Sequence, residues 1–179
     1  MVNLISDHKK SDLISLTNNE MFALFGQFDY KYNPTCNNPD RITINPKWVE
    51  CNIVNVELPQ LKLISHKTRI KIHKKCKDQF LYLLNEWEKK GLINRILTWN
   101  GSFSPRFVRG NRKILSNHAF GAAFDINAKW NKYGVEPSYY GELGCVRELV
   151  GIANSCGFLW GGDFKTQPDG MHFEIAVVL

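Results

Sequence analysis

The chain has 179 residues, 44% of them hydrophobic and 22% charged, which suits one globular domain, or one domain with an arm, around a sizeable core. No apolar run approaches the ~20 residues needed to cross a bilayer, so membrane insertion is not expected. The formal net charge of +6 fits either a solvated basic surface or attraction to a polyanion, nucleic acid or bacterial wall.

Residues 1–16, broken by Asp7, His8 and Lys9, lack the pattern of a secretory signal. The chain is therefore expected to be made in the cytoplasm. Residues 1–30 predict a short helical region in which Asn18 or Asn19 caps a turn through Met21, Leu24 and Phe25, with Gly26 ending it. Pro34, Pro39, Pro46 and Pro59 predict an irregular, extended segment over residues 31–60. Residues 68–90 predict the clearest helix. Ile72, Cys76, Phe80, Leu83, Leu84 and Trp87 share one face, and Lys71, Lys74, Lys75 and Lys77 form a solvated one. Gly91 ends it, and residues 92–99 predict a strand.

Residues 101–115 predict a loop, residues 120–126 a strand made close-packing by Gly121, Ala122 and Ala123, and residues 127–138 a second loop. A helix is expected over residues 139–156, with Leu143, Val146, Leu149, Val150 and Ala153 inward and Gly157 just past its end. Residues 171–179 predict a buried strand. The order of elements implies an α+β fold: a small antiparallel sheet with packed helices. The domain expectation is an arm over residues 1–65 on a core of residues 66–179. Cys36, Cys51, Cys76, Cys145 and Cys156 include no CxxC pair and read as reduced thiols.

Two segments carry chemistry: Ser116 to Asp125 (SNHAFGAAFD) and Asp169 to Glu174 (DGMHFE). A hydrolytic zinc site needs nitrogen and oxygen ligands with one position left for water, and a separate carboxylate to move protons. His118, Asp125 and His172 can supply the ligands. Asp169, in a turn through Gly170, can be the general base and acid. Glu174 lies two residues beyond His172, on the same face of a strand, and can brace a ligand or orient substrate. His8, His66 and His73 read as surface residues.

At these residues the chain resembles the zinc D-alanyl-D-alanine carboxypeptidases and dipeptidases of the VanX and VanY type, a group that includes phage L-alanyl-D-glutamate endopeptidases. The matching positions are Ser116, His118, Gly121, Ala123 and Asp125, then Asp169 and His172, extended by Phe173 and Glu174. The stretch Trp160 to Asp163 (WGGD) is also similar, while Phe164 departs from the tryptophan often found there. The resemblance implies one Zn2+ on His118, Asp125 and His172, with Asp169 as base, in a Hedgehog/D,D-peptidase-like fold. It implies an oxyanion-stabilising arginine upstream, for which Arg106 is the best match and Arg109 and Arg112 are neighbours. Ser116, Glu174 and Trp160 are expected to touch substrate or support the ligands. The implied partner is the peptidoglycan stem peptide, cut by a D,D-carboxypeptidase or an L-alanyl-D-glutamate endopeptidase that reaches the wall by release or injection. The alternatives are a metal-containing binding module of the same fold and a basic nucleic-acid-binding protein. The second lacks a helix-turn-helix and an aromatic ladder.

Overall fold

The computed structural model describes residues 10–64 and 68–179. His8 and His66, expected at the surface, lie outside the described residues. In chain order the elements are α1 (Asn18–Phe25), β1 (Tyr30–Tyr32), β2 (Ile42–Ile44), α2 (Pro46–Asn52), β3 (Ile53–Glu57), β4 (Arg69–His73) and α3 (Lys77–Lys89). They continue with β5 (Trp99–Gly101), β6 (Phe107–Val108), β7 (Asn111–Leu115), β8 (Ala123–Ile126), α4 (Arg147–Ser155), β9 (Phe158–Trp160) and β10 (His172–Ile175). The fold is α+β. A four-stranded antiparallel sheet, ordered β5-β8-β10-β9, stands beside three two-stranded ribbons, β1-β2, β3-β4 and β6-β7.

The pleat divides the sheet into two faces. Phe124 and Phe173 are paired across β8 and β10 and stack with centroids 5.3 Å apart. Trp99 stacks on the other side of Phe124 at 5.1 Å. Phe80 and Trp87 of α3 meet this stack edge-on. The Trp87 indole N–H donates to the Leu149 carbonyl of α4 at 3.0 Å, so its polar end is satisfied inside the core. Asp125, His172 and Glu174 take the opposite face.

The N-terminal residues pack on the same core. α1 is capped by Thr17, not by Asn18 or Asn19: the Thr17 side chain accepts from Glu20 N–H, and Glu20 answers to the Thr17 backbone. Asn18 is spent elsewhere, donating to the Leu115 carbonyl at 3.0 Å and accepting from Leu115 N–H at 2.7 Å. Phe22 and Phe28 pack against Phe120 at 5.1 and 5.0 Å. The boundary between residues 65 and 66 falls between β3 and β4, which pair over five residues.

Several expected elements differ. The expected extended segment over 31–60 contains α2, because Pro46 sits at its first turn, where no backbone N–H is needed, behind an Asn45 cap. The long helix expected from residue 68 begins only at Lys77; residues 69–73 are the strand β4, whose Ile70 and Ile72 alternate inward against β3. Residues 92–99 form a 3₁₀ turn (Ile93–Arg95) and a short approach to β5 rather than a strand. The loop expected over 101–115 contains the β6-β7 hairpin. The helix expected from residue 139 starts at Arg147. Gly141 and Gly144 take positive φ before it, and Leu143, expected inward, is 67% exposed.

His73, expected at the surface, is fully buried. Its Nε2–H donates to the Phe25 carbonyl at 3.2 Å, and Nδ1 accepts from Lys75 N–H at 3.2 Å. Both nitrogens are used by the neutral ring, and burial lowers its pKa to about 4. A proton lost from the folded state at a lower pH than from the unfolded chain makes stability fall as pH falls. This contribution is complete above the ordinary histidine value of about 6.5 and disappears as pH drops through about 4, amounting to on the order of 3 kcal/mol. Urea unfolding of metal-free protein at pH 7 and pH 4 should show this loss, and His73→Gln should flatten the slope. A variant with an unchanged pH dependence would count against a neutral buried ring.

Candidate metal centre

The register of β8 and β10 places Asp125 directly opposite His172. His118 arrives from a different element. It lies in a 3₁₀ turn, Asn117–Phe120, that leads into β8 through Gly121 at φ +70°. Gly121 is required there twice over: its φ is left-handed, and a Cβ would stand 2.7 Å from the backbone nitrogen of His73. That same His73 N–H donates to the Gly121 carbonyl at 2.9 Å, tying the turn to β4.

These elements bring three ligand atoms together. His118 Nε2, Asp125 Oδ1 and His172 Nδ1 form a triangle with all three sides at 3.1 Å. They are the one His/Cys/Asp/Glu group among the described residues suited to hold a metal ion. Tetrahedral ligands about 2.0–2.2 Å from zinc stand roughly 3.3–3.6 Å apart, so the triangle needs little adjustment to accept one.

The chemistry of the donors also fits a cation. The second nitrogen of each ring is committed to an acceptor that cannot donate: His118 Nδ1–H donates to the Ser102 carbonyl at 2.6 Å, and His172 Nε2–H to the Glu174 carboxylate at 2.9 Å. The remaining lone pairs therefore point at each other and at Asp125, an arrangement that asks for positive charge in the middle. Burial would raise the Asp125 carboxyl, but the two imidazoles hold it well below its usual value. Burial opposes charge on His172, yet Asp125 and Glu174 outweigh it and lift the ring to about 10. The same field that holds a proton there attracts a metal ion in its place.

Asp169 occupies a turn held from three directions. Its N–H donates to the Gly161 carbonyl at 2.9 Å, its carbonyl accepts from His172 N–H at 3.0 Å, and the Trp160 indole donates to Gly170 at 2.8 Å. A Cβ on Gly161 would stand 2.6 Å from the Asp169 carbonyl oxygen, so only glycine lets the two segments close. Trp160 itself is fully buried and on the core face, behind the site rather than in its lining. One carboxylate oxygen of Asp169 is buried without a hydrogen-bond partner, and burial raises its pKa above the ordinary aspartate value.

Of the three arginines, Arg106 and Arg109 line the space in front of the triad. Arg112 turns away, 3.4 Å from Asp40 and stacked over Tyr32. Arg106 is the more enclosed of the first two, and burial lowers its pKa against the pull of Asp125 and Asp169. Ser116 is buried at the edge of the same space, and its N–H donates to the Arg106 carbonyl at 3.0 Å. Sequence reasoning missed Ser102, which acts through a carbonyl that every residue has. It also missed Tyr133, Gln167 and Thr17 in the cleft wall. Phe164 is half-buried in the wall of the cleft, its ring 6.0 Å from that of His172.

If Glu174 fixes the His172 ring for a metal, Glu174→Ala should weaken zinc binding about 10- to 100-fold in competition with a chromogenic chelator. Unchanged affinity would remove Glu174 from the site.

With this geometry in view, comparison with known proteins adds one match. Residues 109–175 are similar to the family described as D-alanyl-D-alanine carboxypeptidase. That span includes His118, Asp125, Asp169, His172 and Glu174 but not Arg106. No solved structure matches the chain. The matched segment supports a carboxypeptidase-like peptidase of peptidoglycan in general, and the buried triad could hold the metal ion of such an enzyme.

Proposed function

We propose that this protein is a zinc peptidase of the Hedgehog/D,D-peptidase fold that hydrolyses a bond in the peptidoglycan stem peptide, acting at the bacterial wall after release or injection. The observation that carries the reading is the 3.1 Å triangle of His118, Asp125 and His172, beside a half-buried carboxylate with an unpartnered oxygen. A bound zinc ion supplies Lewis acidity, which polarises a carbonyl and makes a nucleophile available at neutral pH.

The protein's own groups do the rest. Asp169 accepts the proton of the attacking water and returns it to the departing amine. Its raised pKa narrows the gap to neutral pH, which helps both transfers. Arg106, half-buried in the lining of the site, supplies the positive charge that stabilises the negative charge developing on the carbonyl oxygen. His118, Asp125 and His172 are held in orientation by Ser102, the strand pairing and Glu174.

A non-hydrolysing binding module of the same fold is disfavoured by Asp169. A binder has no use for a half-buried carboxylate with one oxygen bare, carried on a turn whose backbone is held from three directions. Nucleic-acid binding has little support, because Lys71 on β4, Lys74 and Lys75 in the 3₁₀ turn that follows, and Lys77 at the start of α3 are exposed, and among the described residues none of them stacks on an aromatic ring.

Asp169→Ala should lower kcat for stem-peptide hydrolysis by on the order of 10²- to 10⁴-fold while the protein still binds zinc. Loss of zinc in that variant would reassign Asp169 to the ligands. The acid limb of the kcat/KM profile should lie above the ordinary aspartate pKa of about 3.9, since burial raises Asp169 and only its deprotonated form is a base. A limb that stays in place when Asp169 is replaced by Glu would exclude Asp169 as the base.

A further inference from the structure

We infer, resting on the zinc-peptidase reading above, that Arg147 is a positioning residue for the base: it latches the loop of residues 127–146 against the Asp169 turn and so fixes where the Asp169 carboxylate points. One oxygen of that carboxylate has no hydrogen-bond partner. The aim of the base therefore rests on the backbone that carries it. Trp160 and Gly161 hold the turn from one side. The loop holds it from the other. Gly134 N–H donates to the Pro168 carbonyl at 2.7 Å. The buried Pro137 lies against Gly170, where an added Cβ would stand 2.6 Å from the proline ring.

Residues 127–146 contain no helix or strand, so Pro137 needs a fastening from outside the loop to stay in place. Arg147, the first residue of α4, provides it. Its guanidinium donates to the Ser138 carbonyl at 3.1 Å, to the Pro137 carbonyl at 3.2 Å and to the Glu136 carboxylate at 2.7 Å. It also lies 5.4 Å over the ring of Trp160, whose indole N–H holds the Gly170 carbonyl. One buried side chain thus reaches both walls of the turn. Burying a guanidinium is costly, and Glu136, its carboxylate partner, is exposed. A methionine would fill similar space without that cost. What the planar fork adds is a set of donors at fixed angles and a flat face for the indole. Those features set geometry, and the geometry they set is that of the turn bearing Asp169.

The test is a double-mutant cycle on zinc-loaded full-length protein, with an N-acylated stem pentapeptide as substrate and products read by mass spectrometry. Arg147→Met should lower kcat on the order of 10²-fold, the effect of misplacing a catalytic group by about 1 Å, with KM and zinc affinity little changed. Arg147→Lys, which keeps the charge and loses the fork, should fall between the two. In an Asp169→Ala background, Arg147→Met should cost nothing further, because the group it positions is gone. An unchanged kcat, or an equal loss in both backgrounds, overturns the inference; the second result would mark Arg147 as a general support of the fold. Should Arg147→Met fail to fold, Pro137→Ala loosens the same turn from the loop side and enters the same cycle with the same two readings. Wild-type protein that binds zinc and cleaves nothing fails the peptidase reading itself, and this inference with it.

Discussion

The antiparallel register between β8 and β10 is the constraint on which the rest of this molecule depends. It sets Asp125 opposite His172 on one face and Phe124 against Phe173 on the other. Because side chains alternate, slipping either strand by one residue would turn the ligands into the core and the phenylalanines into the cleft. The hydrophobic stack of Trp99, Phe124 and Phe173 therefore does more than stabilise the sheet. It holds two polar groups in apposition where burial alone would push them apart.

The third ligand and the carboxylate beside it come from turns, and turns lack the register that a sheet imposes. Close backbone approach supplies the missing precision. Gly121 lets the His118 turn lie against His73, and Gly161 lets the Asp169 turn lie against the end of β9. A larger residue at either glycine would shift a site residue and not merely a loop. The acceptors behind the histidines complete the arrangement: the Ser102 carbonyl and the Glu174 carboxylate leave each ring one free lone pair, directed at the shared centre. The electrostatic cost of gathering these groups is met by an ion or, without one, by a proton on His172.

The first sixty residues contribute to this in two ways. Phe22 and Phe28 brace Phe120, the last residue of the turn that bears His118. Thr17 and Asn18 join Tyr133 and Gln167 in lining the cleft beside His172, and Asn37 and Asp40 line the one beside His118 and Asp125. Access to the centre is thus shaped in part by chain far from the ligands in sequence.

The candidate ligands His118, Asp125 and His172 stood out in the sequence through the family resemblance of their motifs, and the structure brings the three together; the strand period of two and the turn residues add local detail. His172 and Glu174 had to share a face, and Asp169-Gly170 had to turn. The α+β class followed from the same patterns. Other features were ambiguous for a physical reason. Ile72 and Cys76 are four apart, a spacing compatible with both a strand and a helix, so β4 read as helix until its partner Ile53–Glu57 was placed beside it. Pro46 read as a breaker, although at the first turn of a helix it costs nothing. What tertiary structure alone decided is where distant backbone arrives. The Phe25 carbonyl makes His73 a buried neutral ring. The Ser102 carbonyl orients His118. Asp40 draws Arg112 away and leaves Arg106 and Arg109 facing the centre. A carbonyl carries no signature in sequence, and a guanidinium goes to whichever carboxylate the fold brings within reach. Those outcomes depend on contacts between segments that a linear reading cannot place together.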